Sequence, residues 1–568
     1  MSGITVASMH EGTEASPTVA GYLAARRKDG ATGLVFEDLT WAWSDVVDQS
    51  ARRAAALIEL RQDEPFHVGV LLENVPEYVF LLFGAALCGA TVVGINSTRR
   101  GQELARDIAH TDCQVVLTDQ RGCSLLDGLD VGPATGRIVD VESTGYQALL
   151  GAQKPLPEKL PDSGDLYLLL FTAGSTGAPK AVRMSQGRAA RTAADSARAF
   201  GRADVLYCAM PLFHGNALLA NLFPGLISGA SVVLRRRFSA SSFGPDIRNH
   251  GCTYFNYVGR ALSYIVAVPE RPEDGDNKLK WALGSEASPQ NIAEFTRRFK
   301  CPVFEGYGSS ENAVVISPVP GMPAGAMGRP REGMDVAVVN PATGRECPTA
   351  LFDGEGRLLN ADEAIGEIVG RNTADRFEGY YNNPDAEAER TRGGWYWTGD
   401  LGYRDTACFF YFAGRSADWL RVDGENFSAG SVERIINRFP PATGVAVYGV
   451  PDPVSGDQVM AALEIPETGG FDPADFPASF AAFLAGQPDL GTKWAPRFVR
   501  VLADLPVTGA GKLDKAPLRA GAWNTSDPVW WRPSWDLAYR RFTDADGVEL
   551  FERFCSNGRE GFWPSPAA

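Results

Sequence analysis

FTAGSTGAPKA, residues 171–181, follows the apolar run LYLLL, residues 166–170. It gathers Gly174, Gly177, the hydroxyls of Thr172, Ser175 and Thr176, and a Pro179–Lys180 pair. A glycine- and hydroxyl-rich stretch that leaves a strand can turn backbone N–H groups and hydroxyls toward phosphate oxygens. The Walker loop demands G-x-x-x-x-G-K-[ST], with its Lys and hydroxyl opening a helix. Here Lys180 lies between Pro179 and Ala181, so that pattern fails. Alone, the stretch reads equally as a phosphate loop of another kind or as a Gly-Ser surface turn.

The chain has 568 residues, enough for two or more domains. Its composition, 45% hydrophobic and 22% charged, is that of a soluble globular enzyme with a large core. A net charge of −15 without a long basic block argues against nucleic acid as the main partner. The nine Cys include no C-x-x-C pair, so neither a zinc site nor a disulfide framework is expected, and a reducing cytoplasmic compartment fits. The first residues, MSGITVASMHEGTEASP, lack the apolar core of a secretion signal. Two charge-free runs, Tyr78–Ile95 and Met210–Leu234, are long enough to cross a bilayer. Glycines interrupt both, and His214, Asn216, Asn221 and Pro224 interrupt the second, so a buried helix followed by a buried strand is expected in each.

Short apolar strands alternate with amphipathic helices along the first part of the chain. HVGVLLEN, ATVVGIN, CQVVLTD, ASVVLRR and CTYFNYVG read as strands, and Ser44–Leu60 and Gln186–Phe200 as helices. That alternation predicts mixed, largely parallel α/β layers. From about Asp335 short β-like pieces with Gly turns take over, as in MDVAVVN, GEIVGR and ACFFYFAG. Past Arg415 a smaller α+β pattern follows, which places residues 1–415 in a large N-terminal domain and 416–568 in a C-terminal one.

Four further stretches follow the first in order. FEGYGSSEN (304–312) combines aromatics, two glycines, hydroxyls and carboxylates. WYWTGDLGY (395–403) sets Asp400 after a Gly turn, FAGRSADWLRVDGEN (412–426) carries Arg415, and PVTGAGKLDK (506–515) puts Lys512 in a Gly loop. Each has an ordinary explanation by itself, as a turn, an exposed acid or a solvated Lys. Their joint occurrence in this order is much harder to explain by chance.

On these five stretches the chain resembles the adenylate-forming superfamily of acyl-CoA synthetases, luciferases and peptide-synthetase adenylation domains. The resemblance runs from about Ser44 to Ala522. Within that superfamily it is most similar to very-long-chain acyl-CoA synthetases and fatty acid transport proteins, through ENVPEYVF…GINSTRRG, RRRFSASSF, ALGSEASP and LRVDGEN. Ala173 and Ser310 stand where the family usually has Ser and Thr. Both replacements are small, and Ser310 keeps its hydroxyl.

The resemblance implies ATP, Mg²⁺ and CoA as reactants and assigns roles that chemistry supports. Thr172, Ser175, Thr176, Gly177 and Lys180 would wrap the β- and γ-phosphates of ATP. Glu311, with Thr176, would be the metal position, since Mg²⁺ takes a few protein oxygens and completes its shell with water and phosphate. Tyr307, with Gly308 and Ser310, would offer a flat face to adenine, and Gly284, Ser285 and Glu286 the opposite wall. Asp400 can accept hydrogen bonds from ribose hydroxyls. Arg415 can donate a fork to ribose or phosphate. Lys512 would stabilise charge on the α-phosphate as the acid attacks it. His214 would stand near the carboxylate pocket, although a lone His beside an apolar segment also reads as a satisfied core residue.

The expected activity is an ATP-dependent acyl-CoA ligase acting through an acyl-AMP. The C-terminal domain would swing about Ala417, two positions after Arg415, between the two half-reactions. Aromatics along 211–234 and 252–266, including Phe213, Leu218, Leu219, Phe223, Tyr254, Phe255 and Tyr257, predict an apolar acid, either a long-chain fatty acid or a steroid side-chain acid. Two alternatives stay open: loading of a carrier protein, and a non-catalytic lipid-binding or transport protein. The tail from Trp523, with DPVWWRPSWDLAYRRF, is expected to pack on the fold, with peripheral membrane contact as the other reading.

Overall fold

The computed structural model describes residues 17–564 apart from 152–153, 173–179, 259–260, 286, 288, 355, 416–418, 423–424, 455–456, 467–471, 473, 488, 492 and 509–510. The chain divides into two compact units. One comprises Met1–Phe238, Asn249–Asn256 and Glu378–Asn383; the other comprises Ser239–Arg248, Tyr257–Phe377 and Pro384–Ala568.

The first unit is built on the alternation expected from the sequence. One sheet runs in the order Ile138–Asp140, Val115–Thr118, His67–Leu71, Thr91–Gly94, Leu166–Thr172, Lys180–Ser185, Tyr380–Tyr381. Its first five strands are parallel and its last two join antiparallel. His67–Leu71, Thr91–Gly94 and Val115–Thr118 are buried at every position, as strands covered on both faces must be. Val93, Ile95, Leu104, Ile108, Val116 and Leu169 lie in the core beside them. A second set of strands, Leu39–Ala42, Thr32–Phe36, Ser231–Leu234, Val205–Cys208 and Tyr254–Asn256, is parallel except at the first pair.

Both long apolar runs resolve into buried helix and strand. Pro76–Cys88 is helical with Pro at its first turn, and Gly89 closes it at φ 77°, a conformation costly for any residue with a Cβ. The strand Thr91–Gly94 follows. The second run is less regular than expected. A short helix Gly215–Ala217 leads through a wider π turn, Leu218–Leu222, into Phe223–Ser228, before the strand Ser231–Leu234. Asn221, wholly buried in that turn, explains part of the irregularity. Its Nδ2 donates to Tyr207 O (2.9 Å) and to Asn256 Oδ1 (2.6 Å), and a buried amide is held by such bonds at the expense of regular geometry. Among the described residues no helix is long and apolar enough to cross a membrane. The helix Gln186–Ala197 stops short of Phe200, whose ring packs edge-on against Tyr254 at 4.8 Å.

The second unit contains the parallel pair Trp281–Gly284 and Val303–Glu305, and an antiparallel sheet of Val336–Val339, Gly366–Gly370, Tyr396–Arg404 and Phe410–Arg415. The latter is the change of texture anticipated at Asp335. Beyond Arg415 the α+β pattern becomes the ribbon Trp419–Val422 with Glu425–Ser428 and a five-stranded sheet: Gly444–Pro451, Asp457–Glu464, Phe498–Leu502, Val529–Trp531 and Arg540–Arg541. Helices Ala429–Ile436 and Phe476–Ala485 cover it through Val432, Ile436, Phe476 and Phe480. The aromatic tail joins this sheet. Trp530 and Trp531 are buried, Trp523 stacks on Phe498 at 4.6 Å, and the guanidinium groups of Arg540 and Arg541 lie over Trp531 and Trp530.

Candidate active site

In the first unit, Thr172 and Lys180 face one another across the antiparallel pair formed by Leu166–Thr172 and Lys180–Ser185. The stretch 171–181 therefore returns into a strand and not into a helix, the physical difference from a Walker loop. Lys180 is 5% exposed, with its ammonium 5.9 Å above the Tyr380 ring. Ser175, Thr176 and Gly177 lie outside the described residues. The far end of the strand is held by Glu378, which accepts from both the backbone N–H and the hydroxyl of Ser185 at 2.6 Å.

His214 opens the helix Gly215–Ala217, and its ring tilts against Phe213 at 4.5 Å. The loop before it is positioned by buried Asn74, whose Nδ2 donates to Met210 O (2.9 Å) and Arg235 O (3.2 Å) and whose Oδ1 accepts from Leu212 N (2.9 Å). A Cβ at Gly94 would stand 3.0 Å from the Phe213 carbonyl oxygen, a tight approach that the 213 backbone would have to ease.

The second unit assembles several expected nucleotide groups. Tyr307 pairs with Ile316 through two backbone bonds of 2.9 Å, which fixes the direction of its side chain. Its Oη donates to Asp400 Oδ2 at 2.6 Å. Burial, and then the Asp400 charge, push the Tyr307 hydroxyl well above its ordinary value, so it stays a donor. The same hydroxyl feels the charge of Glu311. Glu311 is 6% exposed, so the reading of an exposed surface acid does not hold for it. Gly308 and Ser310 follow Tyr307 in the same loop, and a Cβ at Gly308 would meet nothing within 4 Å.

Asp400 sits in a turn built for it. Gly399 has φ 72°, and a Cβ there would collide with the Arg390 guanidinium. Glu367 Oε1 accepts from Gly399 N at 2.7 Å, and Thr398 Oγ1 accepts from Asp400 N at 3.1 Å while donating to Ile368 O at 2.7 Å. Arg415 stands opposite Asp400 in strand register. Gly284 ends its strand in register with Glu305, with Ser285 next in the chain, whereas Glu286 lies outside the described residues.

Lys512 belongs to a tight loop closed by Thr508. Thr508 N donates to Lys512 O (2.7 Å), Gly511 N to Thr508 O (2.8 Å) and Lys512 N to Thr508 Oγ1 (3.2 Å). Gly511 adopts φ 78°, the reason a glycine precedes the Lys. Ala417 lies outside the described residues.

Sequence reasoning missed Asn74, Glu367, Glu378 and Thr508. Glu367 alone carried a signal: a carboxylate in the otherwise apolar strand GEIVG, 4% exposed, must be partnered. Among the described residues no group of three or more His, Cys, Asp or Glu could hold a metal ion. A single buried carboxylate such as Glu311 still suits Mg²⁺, which takes one or two from protein and the rest from phosphate and water.

The family model of AMP-binding enzymes matches residues 23–381, and that of the AMP-binding enzyme C-terminal domain matches residues 431–512. The chain is 51% identical over 551 residues to the steroid-22-oyl-CoA synthetase of Rhodococcus jostii (strain RHA1), covering 96% of this chain and 98% of that one. It is 43% identical over 521 residues to the medium/long-chain-fatty-acid–CoA ligase FadD17 of Mycobacterium marinum, covering 91% and 98%. Among solved structures, the anthranilate CoA ligase AuaEII in complex with anthranoyl-AMP superposes with a TM-score of 0.77 at 21% identity, over 90% of this chain and 98% of that one. At that identity the likeness establishes the fold.

Proposed function

The chain belongs to the AMP-binding enzyme family, and from that membership we propose that it is an AMP-forming acid–thiol ligase that converts an apolar carboxylic acid to its CoA thioester. In the first half-reaction a carboxylate oxygen attacks the α-phosphorus of ATP, the bond to the β-phosphate breaks, and pyrophosphate leaves with acyl-AMP formed. In the second, the CoA sulfur attacks the acyl carbon, the bond to the AMP oxygen breaks, AMP leaves, and the thiol proton passes to solvent. The protein contributes position and charge.

Tyr307 and the Gly284–Glu286 segment hold adenine, Asp400 accepts from the ribose hydroxyls, and Arg415 donates to ribose or phosphate. Thr172, Ser175, Thr176, Gly177 and Lys180 take the β- and γ-phosphates. Glu311 and Thr176 would hold Mg²⁺, whose charge offsets that of the triphosphate. Lys512 stabilises the charge that grows on the α-phosphate, and His214 borders the carboxylate. Residues 416–568 move as a C-terminal domain about Ala417 between the two steps.

The observation that carries this reading is the alignment of almost the whole chain with a protein named as an acyl-CoA synthetase, 51% identical. Its name favours a steroid side-chain acid, and the FadD17 name a medium- or long-chain fatty acid. CoA thioester formation over a panel of steroid side-chain acids and fatty acids of graded length tests it. A steroid acid preferred in kcat/KM by about tenfold or more supports the first class. Acid-dependent ATP–pyrophosphate exchange without any CoA thioester would overturn the ligase assignment.

A further inference from the structure

The match to the C-terminal family model ends at residue 512, yet the described chain runs on to Pro564. That tail completes a core on one face of the C-terminal sheet. Trp523, Val529, Trp531, Leu550 and Phe554, each at most 4% exposed, cluster there with Met460 and Phe498 of the sheet. Trp530, the neighbour of Trp531, turns to the opposite face, where Phe476 and Phe480 pack. The tail is fastened at its end. Asn524 Nδ2 donates to Pro564 O at 2.7 Å, Arg559 Nε donates to Asp452 O at 2.9 Å, and Trp563 packs edge-on against Trp523 and Phe554, both at 5.5 Å.

Lys512 is set beside two leucines that stand on this core. Leu505, 4% exposed, belongs to the cluster, and Leu513 packs against it. Val507 pairs with Leu513, and Asp514 N donates to Pro506 O at 2.9 Å. A pairing that short is marginally stable in water by itself, so the core beneath it is what fixes it. A Lys charge lowers a barrier only where it is held ready for the charge that develops. A displacement of about 1 Å can cost about a hundredfold in rate. We infer that the tail from Trp523 to Trp563 braces Lys512, which makes Trp523, Phe554 and Trp563 positioning residues for acyl-AMP formation. The inference rests on the reading of Lys512 as the group that stabilises charge on the α-phosphate.

The test measures two half-reactions of the full chain separately: acid-dependent ATP–pyrophosphate exchange, and CoA consumption from supplied acyl-AMP. Trp563→Ala strips the last ring from the brace. It slows the exchange about tenfold and leaves CoA consumption within about twofold, and Trp563→Phe restores most of the exchange. Phe554→Leu shows the same split. Phe480→Leu, equally buried but on the opposite face of the sheet, lowers the Tm by several degrees as Phe554→Leu does, yet keeps the ratio of the two half-reactions within about twofold of the parent. Equal loss of both half-reactions in the tail variants, a loss confined to CoA consumption, or the same split in Phe480→Leu overturns the brace. Should Phe554→Leu fold poorly, Trp563→Ala and Trp563→Phe decide alone: exchange at the parent rate in Trp563→Ala, or no recovery in Trp563→Phe, overturns it. Lys512→Ala separates the premises. If it leaves the exchange unchanged, the reading of Lys512 falls and the brace with it; if it stops the exchange while the tail variants do not slow it, that reading stands and the brace is gone.

Discussion

Tyr307 Oη and Asp400 Oδ2, 93 residues apart in the chain, are joined by a 2.6 Å hydrogen bond. The aromatic face proposed for adenine and the carboxylate proposed for ribose are thus one unit, and each restrains the other. Removing the carboxylate should hurt nucleotide binding and little else. Asp400→Ala is expected to raise the KM for ATP by about tenfold or more, since charge-assisted bonds to the ribose are lost, while the KM for acid holds. It should also stop the enzyme from preferring ATP to 2′-deoxy-ATP. A variant that still discriminates the two as the parent does would place the ribose elsewhere.

Glu367 supports the same turn by accepting from Gly399 N at 2.7 Å, with Arg392 3.4 Å away as its charge partner. Glu367→Ala leaves the Gly399 N–H without its acceptor inside the protein, at a cost of about 1–3 kcal/mol. A fall in Tm of a few degrees and a higher KM for ATP are expected, with Glu367→Gln milder on both counts. Identical behaviour of the Ala and Gln variants would mean that the accepted hydrogen bond is not what Glu367 supplies.

Lys512 should be needed for one half-reaction only. Lys512→Ala is expected to slow acid-dependent pyrophosphate exchange by roughly a hundredfold or more, the loss typical of one group that stabilises transition-state charge. CoA consumption from supplied acyl-AMP should stay near the parent rate. Equal loss in both assays would make Lys512 a structural residue of the Thr508 loop.

Glu311, 6% exposed and close enough to Tyr307 for its charge to be felt there, is the described candidate for the metal. Glu311→Gln exchanges a carboxylate for a neutral amide, a weaker ligand for a hard cation. The Mg²⁺ concentration for half-maximal rate should rise severalfold. If the Mg²⁺ titration is superimposable on the parent's, Glu311 is not a ligand.

Acid stability should depend on Asp29. The Arg202 guanidinium bonded to it at 2.9 Å, with Arg26 at 2.8 Å, lowers its carboxyl to about 2 from a usual 3.8. A depressed folded pKa means stability that is present above the unfolded value and lost as pH falls from about 4 toward about 2. Asp29→Asn should therefore melt below the parent at neutral pH, and the gap should narrow as pH drops below about 4. A gap of constant size across that range would show that the ion pairs do not set it.

The groups proposed for the site stand out before folding is considered. The five stretches carrying Lys180, Tyr307, Asp400, Arg415 and Lys512 announce themselves because glycines, hydroxyls and charged groups recur at local spacings, and local spacing is a property of the chain itself. The failure of the Walker pattern at Pro179–Lys180 was equally plain, and the strand that opens at Lys180 agrees with it. The helix–strand reading of Tyr78–Ile95 needed only an apolar run with a glycine at its break.

The supports of the site could not be read that way. Asn74, Glu378 and Thr508 are common residue types in ordinary surroundings, and Glu367 stands out only as a carboxylate in an apolar strand, with nothing to name its partner. What gives them work is register: Glu378 reaches Ser185 because Tyr380–Tyr381 pairs antiparallel with Lys180–Ser185. Glu367 reaches the Gly399 turn because Gly366–Gly370 pairs antiparallel with Tyr396–Arg404. The irregular course of Met210–Leu234 has the same origin, since Asn221 finds Asn256 only across the fold. The sequence by itself determined which groups could do the chemistry. Which other groups hold them in place was decided by tertiary structure, because a buried donor or acceptor must be satisfied by whatever partner the packed strands bring to it.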